Sequence, residues 1–454
     1  MRTGATDVIV IGAGHSGLAM SGWLGAHGVE HVVLERGEIA NAWRHERWDS
    51  LRLLTPNWQS RLPDYRYDGG DPDGFMSMPD VVQFISRYAG FIGAPVREQT
   101  AVSSVRRDAD GYRVMTTQRE WRCRAVVMAS GANGIANVPA LAGALPATLR
   151  RLTAKEYRRP DQLDDDGVLI VGASATGVQL ADEIARSGRR VTLAAGEHIR
   201  LPRTYRGRDI QWWMDTAGIL DQRIDAVDDP VRARRIPSPQ LVGTPARQTL
   251  DLNALMDGGV DVVGRLVGVD GAKLQFSGNL RNECAMADLK QARLLDSFDA
   301  LAARSAFGAD LTASERFAAT RVDAAPRVSL DVNHERIGTV IWASGFRPDF
   351  SWLQMPVFDP KGRLKHDGGS VAPGLCVLGL NFMRRRKSSF IHGAEDDVRE
   401  LGAQLLAHLG AAPRGTPPAR AVKVRTQAAG VGPSAKSAGP SARPKPSPWM
   451  YSIT

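Results

Sequence analysis

A chain that twice runs from four apolar residues into a glycine-rich turn, and out of it into a helix, has few folds open to it. The first passage is Asp7-Val-Ile-Val-Ile-Gly12-Ala-Gly14-His-Ser-Gly17, and the second is Gly167-Val-Leu-Ile-Val-Gly172-Ala-Ser174-Ala-Thr-Gly177. A buried strand that turns tightly into a helix presents unpaired backbone amides and the positive end of the helix dipole, which together cradle a pyrophosphate. One such turn also suits close packing alone. Two of them predict an α/β fold with two Rossmann-like, dinucleotide-binding domains, and a protein that moves electrons between two dinucleotides.

The residues after each turn differ. The first is followed by a helix (Ser16 to about His27) and a strand, His31–Leu34, ending at Glu35 with Arg36 beside it. An acid at that place accepts hydrogen bonds from both hydroxyls of an adenosine ribose. The same spacing after Gly172 reaches Ala195, which has no acid, and Arg200 and Arg203 follow. Guanidinium binds phosphate by paired charged hydrogen bonds, so the second site reads as one for a 2′-phosphorylated ribose. The expectation is FAD at the first turn and NADPH at the second. Glu197 keeps NADH open, because a shift of two residues lets it meet a 2′-hydroxyl.

Composition narrows the classes. The chain has 454 residues, 43% hydrophobic and 24% charged, ordinary values for a globular enzyme of two or three domains. No apolar run reaches the roughly 20 residues of a membrane span, and no basic segment precedes an apolar one at the N-terminus. Three separated cysteines, Cys123, Cys284 and Cys376, suit a reducing cytoplasm and argue against a dithiol reductase. The net charge of +9 does not imply nucleic-acid binding, because seven of the basic residues lie in an acid-free stretch, 411–454, rich in Ala, Pro, Gly and Ser. That stretch reads as a disordered basic tail. Nothing in the sequence specifies an oligomeric state.

Along the chain, helical spacing covers Met78 to Ala89, and short strands fall near Val102–Arg106 and Tyr112–Thr116. Ala125–Met128 then enters Ala129-Ser-Gly131, and Ile337–Trp342 enters Ala343-Ser-Gly345. The repeated ending suggests that the chain has by then returned to its first unit. The expected division is an FAD domain over 1–165 and 326–410, with an NADPH domain inserted over 166–325.

Taken in order, Gly12-x-Gly-x-x-Gly17, Glu35, Trp43-Arg44, Gly172-x-Ser-x-x-Gly177, Leu-Pro-Arg203 and Ala-Ser-Gly-Phe-Arg-Pro348 resemble the class B flavin-dependent monooxygenases. The likeness spans about 7–409 and is nearest to the flavin-containing monooxygenase branch. It implies FAD, NADPH, molecular oxygen and a small nitrogen- or sulfur-containing substrate, oxygenated through a flavin C4a-hydroperoxide. The family signature Phe-x-Gly-x-x-x-His-x-x-x-Tyr is largely missing: Ala147, Leu149 and Thr153 stand at the Phe, Gly and His places, and Tyr157 alone matches. A flavin oxidoreductase that inserts no oxygen, or a non-catalytic redox-sensing flavoprotein, therefore stays open.

The expected cofactor contacts are Gly12, Gly14, Gly17, Glu35, Arg36, Trp43, Arg44, Val102, Ala129 and Gly131 at the flavin nucleotide, and Gly172, Ser174, Gly177, Arg200 and Arg203 at NADPH. Thr55 and Asn57 are candidates beside the flavin ring, or else simply close a turn around Pro56. The run Arg384-Arg-Arg-Lys387-Ser388 is either a solvated basic loop or the approach to a last helix beginning near Ser389. In the second case Lys387 and a capping Ser388 would add positive potential near the flavin.

Overall fold

The computed structural model describes residues 3–410, so the expectation of a disordered tail lies outside the described residues. The first domain opens with β1 (Thr3–Ile11), α1 (His15–Ala26) and β2 (His31–Leu34), followed by the short α2 (Asn41–His45) and by α3 (Met78–Phe91). Its remaining early strands are β3 (Val96–Arg97), β4 (Val102–Asp108), β5 (Gly111–Thr116) and β6 (Glu120–Met128). Residues 8–11 of β1 and 125–128 of β6 are buried apolar side chains on both faces, the pattern of parallel strands covered by helices.

The chain then builds a second sheet from β7 (Arg150–Thr153), β8 (Gly167–Val171), β9 (Val191–Ala195) and β10 (Asp261–Gly264), with α4 (Ala175–Arg186) after β8. A three-stranded antiparallel sheet, β11 (Leu266–Asp270), β12 (Lys273–Phe276) and β13 (Ser329–Asp331), packs on it, and α5 (Leu280–Ala303) lies between β12 and β13 in the chain. Next come β14 (Ile337–Trp342), then β15 (Ser370–Ala372), β16 (Leu375–Val377) and α6 (Ala394–Leu409).

The first sheet has the order β15-β16-β6-β1-β2-β3, with β4 and β5 attached to β6 as an antiparallel extension. The second is all parallel, in the order β7-β14-β8-β9-β10. The second domain is thus inserted into the first, which closes only when β16 pairs with β6 and α6 packs on α1.

The domain limits expected from the sequence need correction. β7, assigned to the first domain, and β14, read as the return to it, are neighbours in the second sheet. The two Ala-Ser-Gly endings are alike because each closes its own sheet in the same way. Ala129 N donates to Ile11 O at 2.8 Å, and Ala343 N donates to Val171 O at 2.9 Å. Gly131 and Gly345 then turn the chain at φ +88° and +89°. The second domain therefore runs from about Arg150 to Trp342, and the return follows Gly345.

Candidate functional site

Both glycine-rich turns sit at the carboxyl ends of their strands, and both line one continuous cavity of about 2230 Å³ between the domains. The turns themselves are dictated by close approach. A Cβ on Gly12 would fall 2.5 Å from Ala129 O, and one on Gly17 would fall 2.0 Å from Gly12 O. At Gly172 and Gly177 the corresponding distances are 2.5 Å to Ala343 O and 1.7 Å to Gly172 O. Gly14 differs, since an added Cβ would meet nothing within 4 Å and would enter the open cavity. That space, at the N-terminus of α1, fits a pyrophosphate.

The flavin side carries further groups suited to a polar ligand. Glu35 is buried, and its carboxylate accepts from Ala13 N at 2.8 Å and Gly37 N at 3.0 Å. Both bonds hold it at the cavity wall with acceptor capacity to spare. In the first turn of α1, His15 Nε2 and Ser16 Oγ are buried without a partner among the described residues, and both residues line the cavity. Burial pushes the His15 pKa down to about 4, so its ring is neutral. Arg36, Trp43, Thr55, Val102, Ala129 and Gly131 also line the cavity. Arg36 is ion-paired with Glu46, which also accepts from Lys155 at 2.7 Å.

Several expected site residues lie elsewhere. Arg44 pairs with Glu38 at 3.2 Å, away from the cavity lining. Asn57 is buried and closes its own loop, accepting from Met76 N at 2.8 Å and donating to Asp71 O at 2.9 Å. The largest correction concerns the two arginines assigned to the 2′-phosphate. Arg200 is 4% exposed, and Asp251 holds its Nε and one terminal nitrogen at 2.9 and 2.7 Å. Its other terminal nitrogen donates to Asp288 and to Ala318 O. Burial works against its charge, yet the two aspartates keep its pKa above the ordinary value. Arg203 is 1% exposed, donates to Asp209 and Leu54 O, and stacks 4.8 Å over Phe75. Neither guanidinium reaches the cavity.

Arg265 does, and sequence reasoning missed it. It follows β10, the strand beside β9, and its side-chain stem lies 3.6 Å from the place of a Cβ on Gly196, one residue past the end of β9. It is exposed, lines the cavity, and has no side-chain partner among the described residues. Only the pairing of β9 with β10 brings it there. Glu197 faces the same region and lies 3.5 Å from Lys290.

The basic run is neither a solvated loop nor a helix cap. α6 begins at Ala394, five residues after Ser389, and two short 3-10 turns precede it. Ser388 is buried and accepts from the backbone N of Arg384 and Arg385. Lys387 is held between Asp221 at 2.5 Å and Asp396 at 2.7 Å. Neither lines the cavity, so the expectation that they face the flavin is corrected as well. His392 is buried with its pKa pushed down to about 3, first by burial and then by nearby Arg61 and Lys387. Trp213 is core, fully buried and donating to Tyr205 O.

Comparison with known proteins agrees with the two-domain fold. Residues 9–213 match the family described as pyridine nucleotide-disulphide oxidoreductase. An uncharacterised CzcO-like oxidoreductase of Geobacillus kaustophilus is 26% identical over 406 residues, covering 88% of this chain and 99% of that one. An indole-3-pyruvate monooxygenase of Oryza sativa subsp. japonica is 28% identical over 218 residues, 44% of this chain and 49% of that protein. Among solved structures, a flavin-containing monooxygenase from Stenotrophomonas maltophilia superposes with a TM-score of 0.63 at 21% identity, over 89% of this chain and 99% of that one. Among the described residues, no helix is long and apolar enough to cross a membrane.

Proposed function

We propose that this chain, an FAD- and NADPH-dependent oxidoreductase with the fold of the flavin-containing monooxygenases, is a monooxygenase that places one atom of molecular oxygen on a small nitrogen- or sulfur-containing molecule. The observation that carries the reading is the single cavity onto which both glycine-rich turns open. Two dinucleotides bound at separate clefts would need a carrier between them, whereas one shared cavity lets hydride pass directly.

Bound FAD supplies the redox chemistry, accepting hydride from NADPH and activating oxygen once reduced. The chain's own groups bind and orient. The amides of the first turn and the dipole of α1 face the pyrophosphate over Gly14, and Glu35 accepts from the ribose hydroxyls. At the second site Ser174 and the N-terminus of α4 take the other pyrophosphate, and Arg265 meets the 2′-phosphate in place of Arg200 and Arg203. Thr55, on the cavity wall, is the remaining hydroxyl donor proposed for the flavin side.

Disulfide reduction, which the family name raises, is not supported by the thiols present. Cys123, Cys284 and Cys376 are buried and unpaired, and none lines the cavity. Burial pushes each thiol up to about 12, and a buried neutral thiol does not exchange with a disulfide. The same thiols suit a reducing compartment, and we place the protein in the cytoplasm. Rapid mixing of the NADPH-reduced holoenzyme with oxygen is the test. A transient absorbing species distinct from both oxidised and reduced flavin is expected, and direct return to the oxidised spectrum would leave an oxidoreductase without oxygen insertion.

A further inference from the structure

Four consecutive basic residues, 384–387, lie on the seam where the domains meet. The segment Leu220–Ile224 pairs with this run across the seam. Ile224 N donates to Arg384 O, Arg386 N to Gln222 O, and Lys387 N to Leu220 O, at 2.9, 3.1 and 3.1 Å. Three of the four side chains have acids. Arg384 meets Glu400 at 2.6 Å, Arg385 meets Asp397 at 3.1 Å as well as Glu400, and Lys387 meets Asp221 and Asp396.

Arg386 has none. Its Nε donates to Gln222 Oε1 at 2.5 Å and its guanidinium lies 4.8 Å over the Phe382 ring, with no carboxylate in ion-pairing range among the described residues. Arg234 donates only to backbone carbonyls of the same segment, those of Phe382 and Met383, at 3.3 and 3.5 Å. Both arginines are half-buried and line the cavity. Burial alone lowers the Arg386 pKa to about 10, and burial followed by nearby Arg363 lowers that of Arg234. A guanidinium withdrawn from water without a counter-charge is costly, and an anionic ligand relieves that cost. Phe382 itself sits at φ +43°, a strained backbone for an aromatic residue, so the ring under Arg386 is held in place by its surroundings.

The phosphates of the two dinucleotides are already met elsewhere, the pyrophosphates at the N-termini of α1 and α4 and the 2′-phosphate beyond β10. The seam is neither place. We propose that Arg386 and Arg234, both held against the Phe382–Met383 segment on the cavity wall, form the binding site for a carboxylate on the substrate, which makes the substrate a small amphipathic acid. Ile219, Leu220, Ile236 and Phe390, also on the cavity wall, would receive its apolar body. The inference rests on the oxygenase reading of this cavity, but its test needs no turnover.

Calorimetric titration of the FAD- and NADP⁺-loaded enzyme with phenylacetate, and separately with the neutral isostere phenylacetamide, decides it. The acid should bind more tightly than the amide. Arg386→Gln should weaken the acid by roughly 10- to 100-fold, the range for hydrogen bonds to charged groups, and the amide by less than about twofold. Arg234→Gln should act in the same direction, and Arg386→Lys, which keeps the charge, should retain part of the affinity and show that the site still folds. Wild-type enzyme that does not prefer the acid would overturn the proposal. So would equal weakening of acid and amide, or a fall in NADP⁺ affinity by the same factor, which would assign the arginines to a cofactor phosphate. None of these results bears on whether oxygen is inserted.

Discussion

Gly12 and Gly172 adopt φ +107° and +114°, and each would drive a Cβ to 2.5 Å from the carbonyl of the alanine ending the neighbouring strand. The next variable position also matches in backbone, with Gly14 at φ −81°, ψ −179° and Ser174 at φ −83°, ψ −173°. Around these near-copies the side chains diverge. The first turn carries half-buried His15 and buried Ser16 and looks across to Glu35, whereas the second carries Ala175 and Thr176 and looks across to Ala195 and Gly196. The lesson is a separation of roles. Backbone geometry makes a dinucleotide site, and the residues at neighbouring strand ends choose the dinucleotide.

The comparison can be broken in four ways, in descending size. Arg200→Ala leaves buried Asp251 and half-buried Asp288 without their shared cation, and should cost about 3–5 kcal/mol in urea denaturation. A loss under about 1 kcal/mol, with NADPH binding abolished, would return Arg200 to the cofactor. Second, the folded-state pKa values of His15 and His392 lie below the ordinary 6.5, at about 4 and about 3. The unfolded chain therefore binds more protons below that value, so stability is full above pH 6.5 and falls as pH drops toward 4. A loss of about 3 kcal/mol between pH 6.5 and 5, from the two rings together, is expected from denaturation midpoints, and a flat profile would show that the folded chain protonates these rings as readily as the unfolded chain.

Third, Gly14→Val should leave the fold intact, because its Cβ meets nothing, yet weaken FAD about tenfold or more by filling the pyrophosphate volume. Flavin retention on a desalting column reads it, and unchanged retention would place the cofactor elsewhere. Last, Arg265→Ala should raise the KM for NADPH by about tenfold, one charged phosphate contact, and barely move that for NADH. Equal effects on both would remove Arg265 from the 2′-phosphate.

The local pattern of this fold was readable from the chain. Four apolar residues before each turn, the helical spacing after it, and Glu35 at the end of β2 are short-range signals, and each stands where the pattern places it. What could not be read depends on pairing between distant segments. Arg200 looks like a phosphate ligand until Asp251 and Asp288, from two other segments, claim it. Arg265 has no motif at all and matters only because β10 lies beside β9. The ending of β14 copies that of β6 and so points to the first domain, but a copied ending shows how a strand is used without showing which sheet contains it. The basic run 384–387 reads as solvated because its acids, Asp221, Asp396, Asp397 and Glu400, lie before and after it rather than within it.

The pairing of residues 220–224 with 384–387 has a mechanical meaning as well. Its backbone bonds and ion pairs tie the domains along one edge, while the links through Gly131 and Gly345 are single turns of chain. Arg203, bonded to Leu54 O and stacked on Phe75, ties the domains a second time. Two such ties oppose rotation of one domain over the other, so the shared cavity holds the two fingerprints at a set separation.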